Sequence, residues 1–204
     1  MRCRRWKGRL TRSCLALVFA GLLIPARGQL APVGQVAAQS GTLTPWAYLP
    51  LVIKAPVCSP NAQEQQIALY MIEHPDQERL SLTCHPILAQ VARERAEDMA
   101  RRRYFSHVNP DGFGPNYLVQ QAGYVLPSFY DTAPDGNNIE SIACGYPTAE
   151  AAWQAWMNSP AHRNQLLGLA PFFADQIEYG IGYTYDPASP CDHYWVVITA
   201  RPGP

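Results

Sequence analysis

The sequence of 204 residues contains no Cys-x-x-Cys pair among its six cysteines. That excludes zinc ribbons and thioredoxin-type redox sites, which need two closely spaced thiolates. It also lacks the roughly 20-residue apolar run that a membrane-spanning helix requires, since its apolar stretch at 13–24 is too short. No internal repeat or second domain is visible. Cations are scarce beyond the N-terminal region: seven of the 16 Lys and Arg lie at or before Arg27, which leaves nine against 16 Asp and Glu, a net charge of −7. A chain of that sign with no basic stripe excludes nucleic acid as a partner, because affinity for phosphate backbones rests on cations that neutralise them. The one basic run, Arg101-Arg102-Arg103, falls at the end of an expected helix, where the dipole favours cations.

What is present divides into three parts. Residues 1–28 have the pattern of a secretory signal peptide: Arg2, Arg4, Arg5, Lys7, Arg9 and Arg12, then the apolar stretch, then Ala26-Arg27-Gly28 before a cleavage point. The mature chain is therefore expected outside the cell, secreted or on the envelope exterior, with no transmembrane span. Residues 29–57 read as a linker, interrupted by an apolar octet at 46–53 that suits an edge strand or a docking segment. Residues 58–204 have the length of one domain with a single core, expected to be monomeric. Cys3 and Cys14 leave with the signal, and the mature chain keeps Cys58, Cys84, Cys144 and Cys191. Four cysteines allow three pairings. The expected one joins Cys58 to Cys84 and Cys144 to Cys191, and disulfides suit an exported chain.

Within the domain, helical patterns come first. Residues 61–73 carry Ile67, Tyr70 and Met71 at helical spacing, with Pro75 beyond the end. Residues 86–103 open with proline and carry one apolar stripe of Leu88, Val91, Ala92, Ala96 and Met99. A short helix is expected at 117–123, and a third long one capped by Thr148 with Trp153 and Trp156 on its apolar face. Ser159-Pro160 restarts a helix after a break, with Ser159 as its N-cap and His162 at its third position. Residues 177–185 then alternate strictly, and 194–199 supply a second strand. Helices followed by a terminal hairpin imply an α+β layered domain.

Several runs occur in a fixed order: Phe105-Ser106-His107 after the long helix; Gly123-Tyr124; Glu140-Ser141-Ile142-Ala143; Ala155-Trp156-Met157-Asn158-Ser159-Pro160-Ala161-His162-Arg163-Asn164; and Tyr179-Gly180-Ile181-Gly182 with Tyr194-Trp195. Together they resemble the bacterial branch of the CAP (SCP-like) superfamily, which includes cysteine-rich secretory proteins, antigen 5 and plant pathogenesis-related proteins. The resemblance implies a three-layer α-β-α sandwich with a central cleft. It also implies a cleft tetrad of two histidines and two acids. His107, Glu140 and His162 match three positions, but Ser159 stands where the second glutamate belongs, and Ile139 and Ser141 replace the glycine and asparagine that usually flank Glu140.

Loss of the second acid weakens paired-carboxylate hydrolysis, because acid/base work wants two groups with separated pKa values. Two imidazoles, with Glu140 as a ligand or as an orienting partner, suit Zn²⁺ or another divalent metal. The helix dipole at His162 further disfavours its protonated form. Three functions follow as expectations. The first is a non-enzymatic module binding a peptide, glycan or lipid beside a metal cleft. The second is a metal-assisted, peptidase-like hydrolase with Glu140 as base, and the third is a structural envelope protein. Tyr117, Tyr124, Phe129, Tyr130, Tyr183 and Tyr185 are candidates for an aromatic binding surface, while His74, His85 and His193 are expected to be solvated.

Overall fold

The computed structural model of the protein describes Cys58 and residues 60–204. The expected signal peptide, linker and apolar octet lie outside the described residues. The domain opens with α1 (Ala62–Ile72), whose start is fixed by a reciprocal capping box: the Asn61 side chain accepts from the Glu64 N–H, and Glu64 accepts from the Asn61 N–H. A two-residue strand, β1 (Thr83–Cys84), precedes α2 (Pro86–Arg102), and α3 (Pro115–Gln121) begins two residues earlier than the pattern predicts. Strand β2 (Glu140–Cys144), α4 (Ala149–Met157), α5 (Pro160–Leu167) and the single turn α6 (Pro171–Ala174) lead into the hairpin β3 (Glu178–Tyr185) and β4 (His193–Ala200).

The four strands form one sheet in the order β1-β3-β4-β2, with β1 parallel to β3 and the other pairs antiparallel. Every residue of β4 after His193 is buried, so its alternation separates two apolar faces rather than an apolar from a polar one. Tyr194, Val196, Ile198 and Ala200 join the α2 stripe and Val119 in one core. Trp195 and Val197 join Ile67 and Met71 of α1, Trp153 and Trp156 of α4, and Leu166 and Leu167 of α5 in the other. The domain is thus α+β, with helices on both faces of the sheet. Both α4 tryptophans belong to that second core, and Trp156 also donates its indole N–H to the Ile142 carbonyl at 3.0 Å.

Both disulfides join the expected partners, Cys58 to Cys84 and Cys144 to Cys191. The bond at Cys144 removes a free thiol from the neighbourhood of Glu140. The basic run ends α2 as anticipated: Arg101 pairs with Asp98, Arg102 with Asp111, and Arg103 donates to the Ala188 carbonyl.

Helix α2 approaches β3 closely because two glycines face it. A Cβ on Gly182 would lie 2.2 Å from backbone atoms of Ala92, and one on Gly180 would lie 2.1 Å from the Leu88 carbonyl carbon. Neither neighbour is the movable end of a side chain. Gly182→Ala is therefore expected to destabilise the domain by about 1–3 kcal/mol through overpacking. Urea denaturation of the variant checks this, and an unchanged midpoint would show that α2 shifts freely.

Candidate functional site

The site grows from the end of α2 and the start of β2. Helix α2 places a charge, Arg95, inside its own apolar stripe, between Ala92 and Met99, with a side chain only 3% exposed. Its guanidinium donates to both oxygens of the fully buried Glu140, at 2.9 and 3.2 Å. It also donates to the Tyr104 hydroxyl at 2.7 Å and to the carbonyls of Ser106 and His107 at 2.8 and 3.0 Å. Arg95 therefore ties the loop carrying His107 to the strand carrying Glu140. The remaining bond closes the group: His107 Nδ1 lies 3.0 Å from Glu140 Oε1.

Glu140 titrates low as a result. Burial pushes its pKa up, but the His107 hydrogen bond and the Arg95 charge together hold it below the ordinary carboxylate value. His162 arrives from the first turn of α5. Burial, then the nearby His107, lower its pKa, so desolvation keeps this ring neutral. Its Nδ1 is buried with no hydrogen-bond partner, alone in that respect among the described side-chain nitrogens and oxygens.

That orphaned nitrogen tests the fit of a metal. A buried polar atom without a partner is what an ion or an ordered water satisfies, and a neutral imidazole is the form that ligates. Yet among the described residues no group of three or more His, Cys, Asp or Glu side chains is placed to hold an ion. The carboxylate expected as a third ligand is already engaged by Arg95 and His107. An ion here would have the imidazoles of His107 and His162 as its donors, while Glu140, bonded at His107 Nδ1, stands where a carboxylate fixes the ring's tautomer and leaves Nε2 free.

Ser159 occupies the N-cap position of α5 but makes no side-chain cap bond. The expectation of a capping hydroxyl is corrected, since a backbone bond from Ser159 to the Trp156 carbonyl sets the turn instead. The histidines expected to be solvated are partly exposed, and each also has a partner. His85 caps α2 through its Nδ1 and meets Tyr124 edge-on at 4.9 Å, His74 accepts from the Asp76 N–H, and His193 Nδ1 lies 2.8 Å from the Tyr183 hydroxyl. The aromatic surface is likewise not one patch: Tyr124 and Tyr130 are buried, Tyr117 and Tyr183 half-buried, and only Phe129 and Tyr185 largely exposed.

Sequence reasoning missed Arg95, although an arginine inside an apolar helical stripe is the signal that could have found it. It also missed a polar line beneath β2. Ser141 donates to Gln165 Oε1 at 2.8 Å, Gln165 donates to Thr199 at 3.3 Å, Thr199 donates to Gln176 at 2.7 Å, and Gln176 donates to the Asn138 carbonyl at 2.8 Å.

The profile of the CAP domain, the cysteine-rich secretory protein family, matches residues 78–168, which include His107, Glu140 and His162. Residues 78–168 carry a CAP domain. The chain is 32% identical over 126 residues to the uncharacterized protein YkwD of Bacillus subtilis (strain 168), covering 61% of this chain and 44% of that protein. The chain thus spans less than half the length of that relative. An extracellular protein containing a SCP domain from Bacillus anthracis str. Ames superposes with a TM-score of 0.50 at 26% identity, covering 68% of this chain and 40% of that one. An outer surface protein from Borrelia burgdorferi has a similar fold, with a TM-score of 0.51 at 20% identity, covering 70% of this chain and 96% of that chain. No helix among the described residues of this CAP domain is long and apolar enough to cross a membrane.

Proposed function

We propose that this CAP domain is a non-enzymatic, exported binding module whose cleft receives a peptide, glycan or lipid ligand and holds a divalent ion, with Zn²⁺ the first to test, on His107 and His162. The engagement of Glu140 carries the reading. Both its oxygens accept bonds from Arg95, and Oε1 also meets His107. A carboxylate held below its ordinary pKa is a weak proton acceptor, and Ser159 offers no second acid. Hydrolysis with Glu140 as base is correspondingly disfavoured. Export is supported by the two disulfides and by the extracellular and outer-surface descriptions of the two structural relatives.

Calorimetric titration of the mature, oxidised protein with Zn²⁺ at neutral pH is expected to give saturable binding that disappears in the His107→Ala/His162→Ala variant. Unchanged binding in that variant would remove the ion from the cleft. Hydrolytic turnover lost on Glu140→Gln would replace the binding module with an enzyme.

A further inference from the structure

Beside Glu140 lies a cavity of about 190 Å³, lined by Asn137, Asn138, Glu140, Gln165, Phe172 and Phe173. We propose that it is a saccharide subsite that takes one neutral pyranose unit; this rests on the binding-module reading above and specifies its ligand class. The lining residues are of two kinds, the amides Asn137, Asn138 and Gln165 and the phenylalanines Phe172 and Phe173; Glu140 lies beneath them with its side chain fully buried. A pyranose has the same duality, with hydroxyls around its edge and an apolar face of C–H groups that stacks on an aromatic ring.

The amide lining is held rigidly before any ligand arrives. The Gln165 amide is fixed at both ends, accepting from Ser141 and donating to Thr199. Asn138 accepts through Oδ1 from Asn116 and from the Asp131 N–H, which leaves its Nδ2 as a donor for a ligand. The buried Arg79 bonds the carbonyls of Gln165, Leu166 and Phe173, so one guanidinium joins Gln165 to Phe173. Fixed donors cost little ordering entropy on binding.

Charge and size narrow the ligand. Glu140 is neutralised by Arg95, and Arg201 nearby pairs with Asp175 at 2.6 Å. The cavity therefore offers hydrogen bonds without net charge, which favours a neutral ligand over an ionic one. Its volume lies below the roughly 300–1,000 Å³ of pockets that enclose drug-sized molecules, so it suits a single ring and not a lipid chain. The aromatic lining continues outward: Phe172 is 37% exposed and Phe129 60% exposed, and they meet edge-to-face at 6.2 Å. Uncovered phenylalanines in contact mark a binding surface more than a core, and here they give a next sugar unit a place to stack.

The test is titration of the mature protein with tri-N-acetylglucosamine and with maltotriose, followed by the side-chain amide NMR signals of Asn138 and Gln165. The expected result is saturable shifts with at least one of the two, weakened about tenfold or more in Phe172→Ala by loss of the stacking face. Phe172 is exposed, so this variant is expected to fold, and Phe173→Ala gives a second reading of the same lining. Zn²⁺ calorimetry on Phe172→Ala separates the two ideas. Zinc bound without any saccharide shift overturns the subsite and leaves the module standing, while saccharide shifts without zinc support the subsite and remove the ion. Shifts produced by N-acetylphenylalanine amide and by neither saccharide would make the cavity a peptide side-chain pocket and overturn the proposal.

Discussion

Arg95→Met is expected to destabilise the domain by about 3–5 kcal/mol at neutral pH, because removing one partner of a buried ion pair leaves the other charge uncompensated. Glu140 has no exposed surface on its side chain, and neither oxygen can turn to water. The same substitution strips donors from the carbonyls of Ser106 and His107, so the loop carrying His107 loosens along with the strand. The double variant Arg95→Met/Glu140→Gln is expected to recover most of the loss, because the buried charge goes with its partner. Equilibrium unfolding in guanidinium measures all three proteins. A single variant within about 0.5 kcal/mol of the parent, the usual scatter of surface changes, would mean that the pair is hydrated and contributes little.

The pH dependence of this effect has a definite sign. In the parent, the folded pKa of Glu140 lies below its ordinary value. Its contribution to stability is therefore present above the unfolded pKa of about 4.3 and is lost as pH falls through the folded value. In Arg95→Met the charge that opposed desolvation is gone, so the buried carboxyl is expected to protonate more readily than it does unfolded. The gap between variant and parent should then narrow as pH falls toward and below about 4. A gap that stays constant down to about pH 3 would show that packing, not charge, sets the cost.

Loss of the Cys144–Cys191 bond is the second large effect. The bond ties the end of β2 to the turn before β4 across a sequence separation of 47. Chain entropy in the unfolded state puts its contribution at about 4 kcal/mol, against about 3.5 kcal/mol for Cys58–Cys84 with its shorter separation. For a domain of this size, about 4 kcal/mol corresponds to a fall in melting temperature of roughly 10 °C. Thermal melts of the Cys144→Ala/Cys191→Ala variant, and of the parent with and without a thiol reductant, check the value. Equal melting temperatures in all three would show that the bridges do not constrain the unfolded chain.

Particular residues show how far the sequence could be read. Ile139 and Ser141 stand out as departures from the family pattern around Glu140, and the fold accounts for both. Ile139 has no exposed surface and joins the α2 core, and Ser141 turns its hydroxyl to Gln165 on the other side of the strand. Glu140 was legible as a candidate site residue, but its partner was not, because Arg95 lies 45 residues away and only packing brings the two together. Strand β1 is two residues long and carries too little pattern to be recognised. It exists because β3 offers it an edge and the bond from Cys84 to Cys58 holds its end.

The sequence by itself determined what repeats locally or counts simply. The apolar stripes of α1, α2 and α4, the alternation of β3, the cap at Thr148, and the even set of cysteines all follow from the 3.6- and 2-residue periods or from turn chemistry within a few residues. Tertiary structure decided everything that depends on which groups meet. It set Glu140 against Arg95 and His107, left one nitrogen of His162 without a hydrogen-bond partner, and gathered amides and phenylalanines around one cavity beside Glu140. A side chain's role in a site depends on its desolvation and its partners, and those come from distant segments that only the packed sheet and its two helical layers bring together.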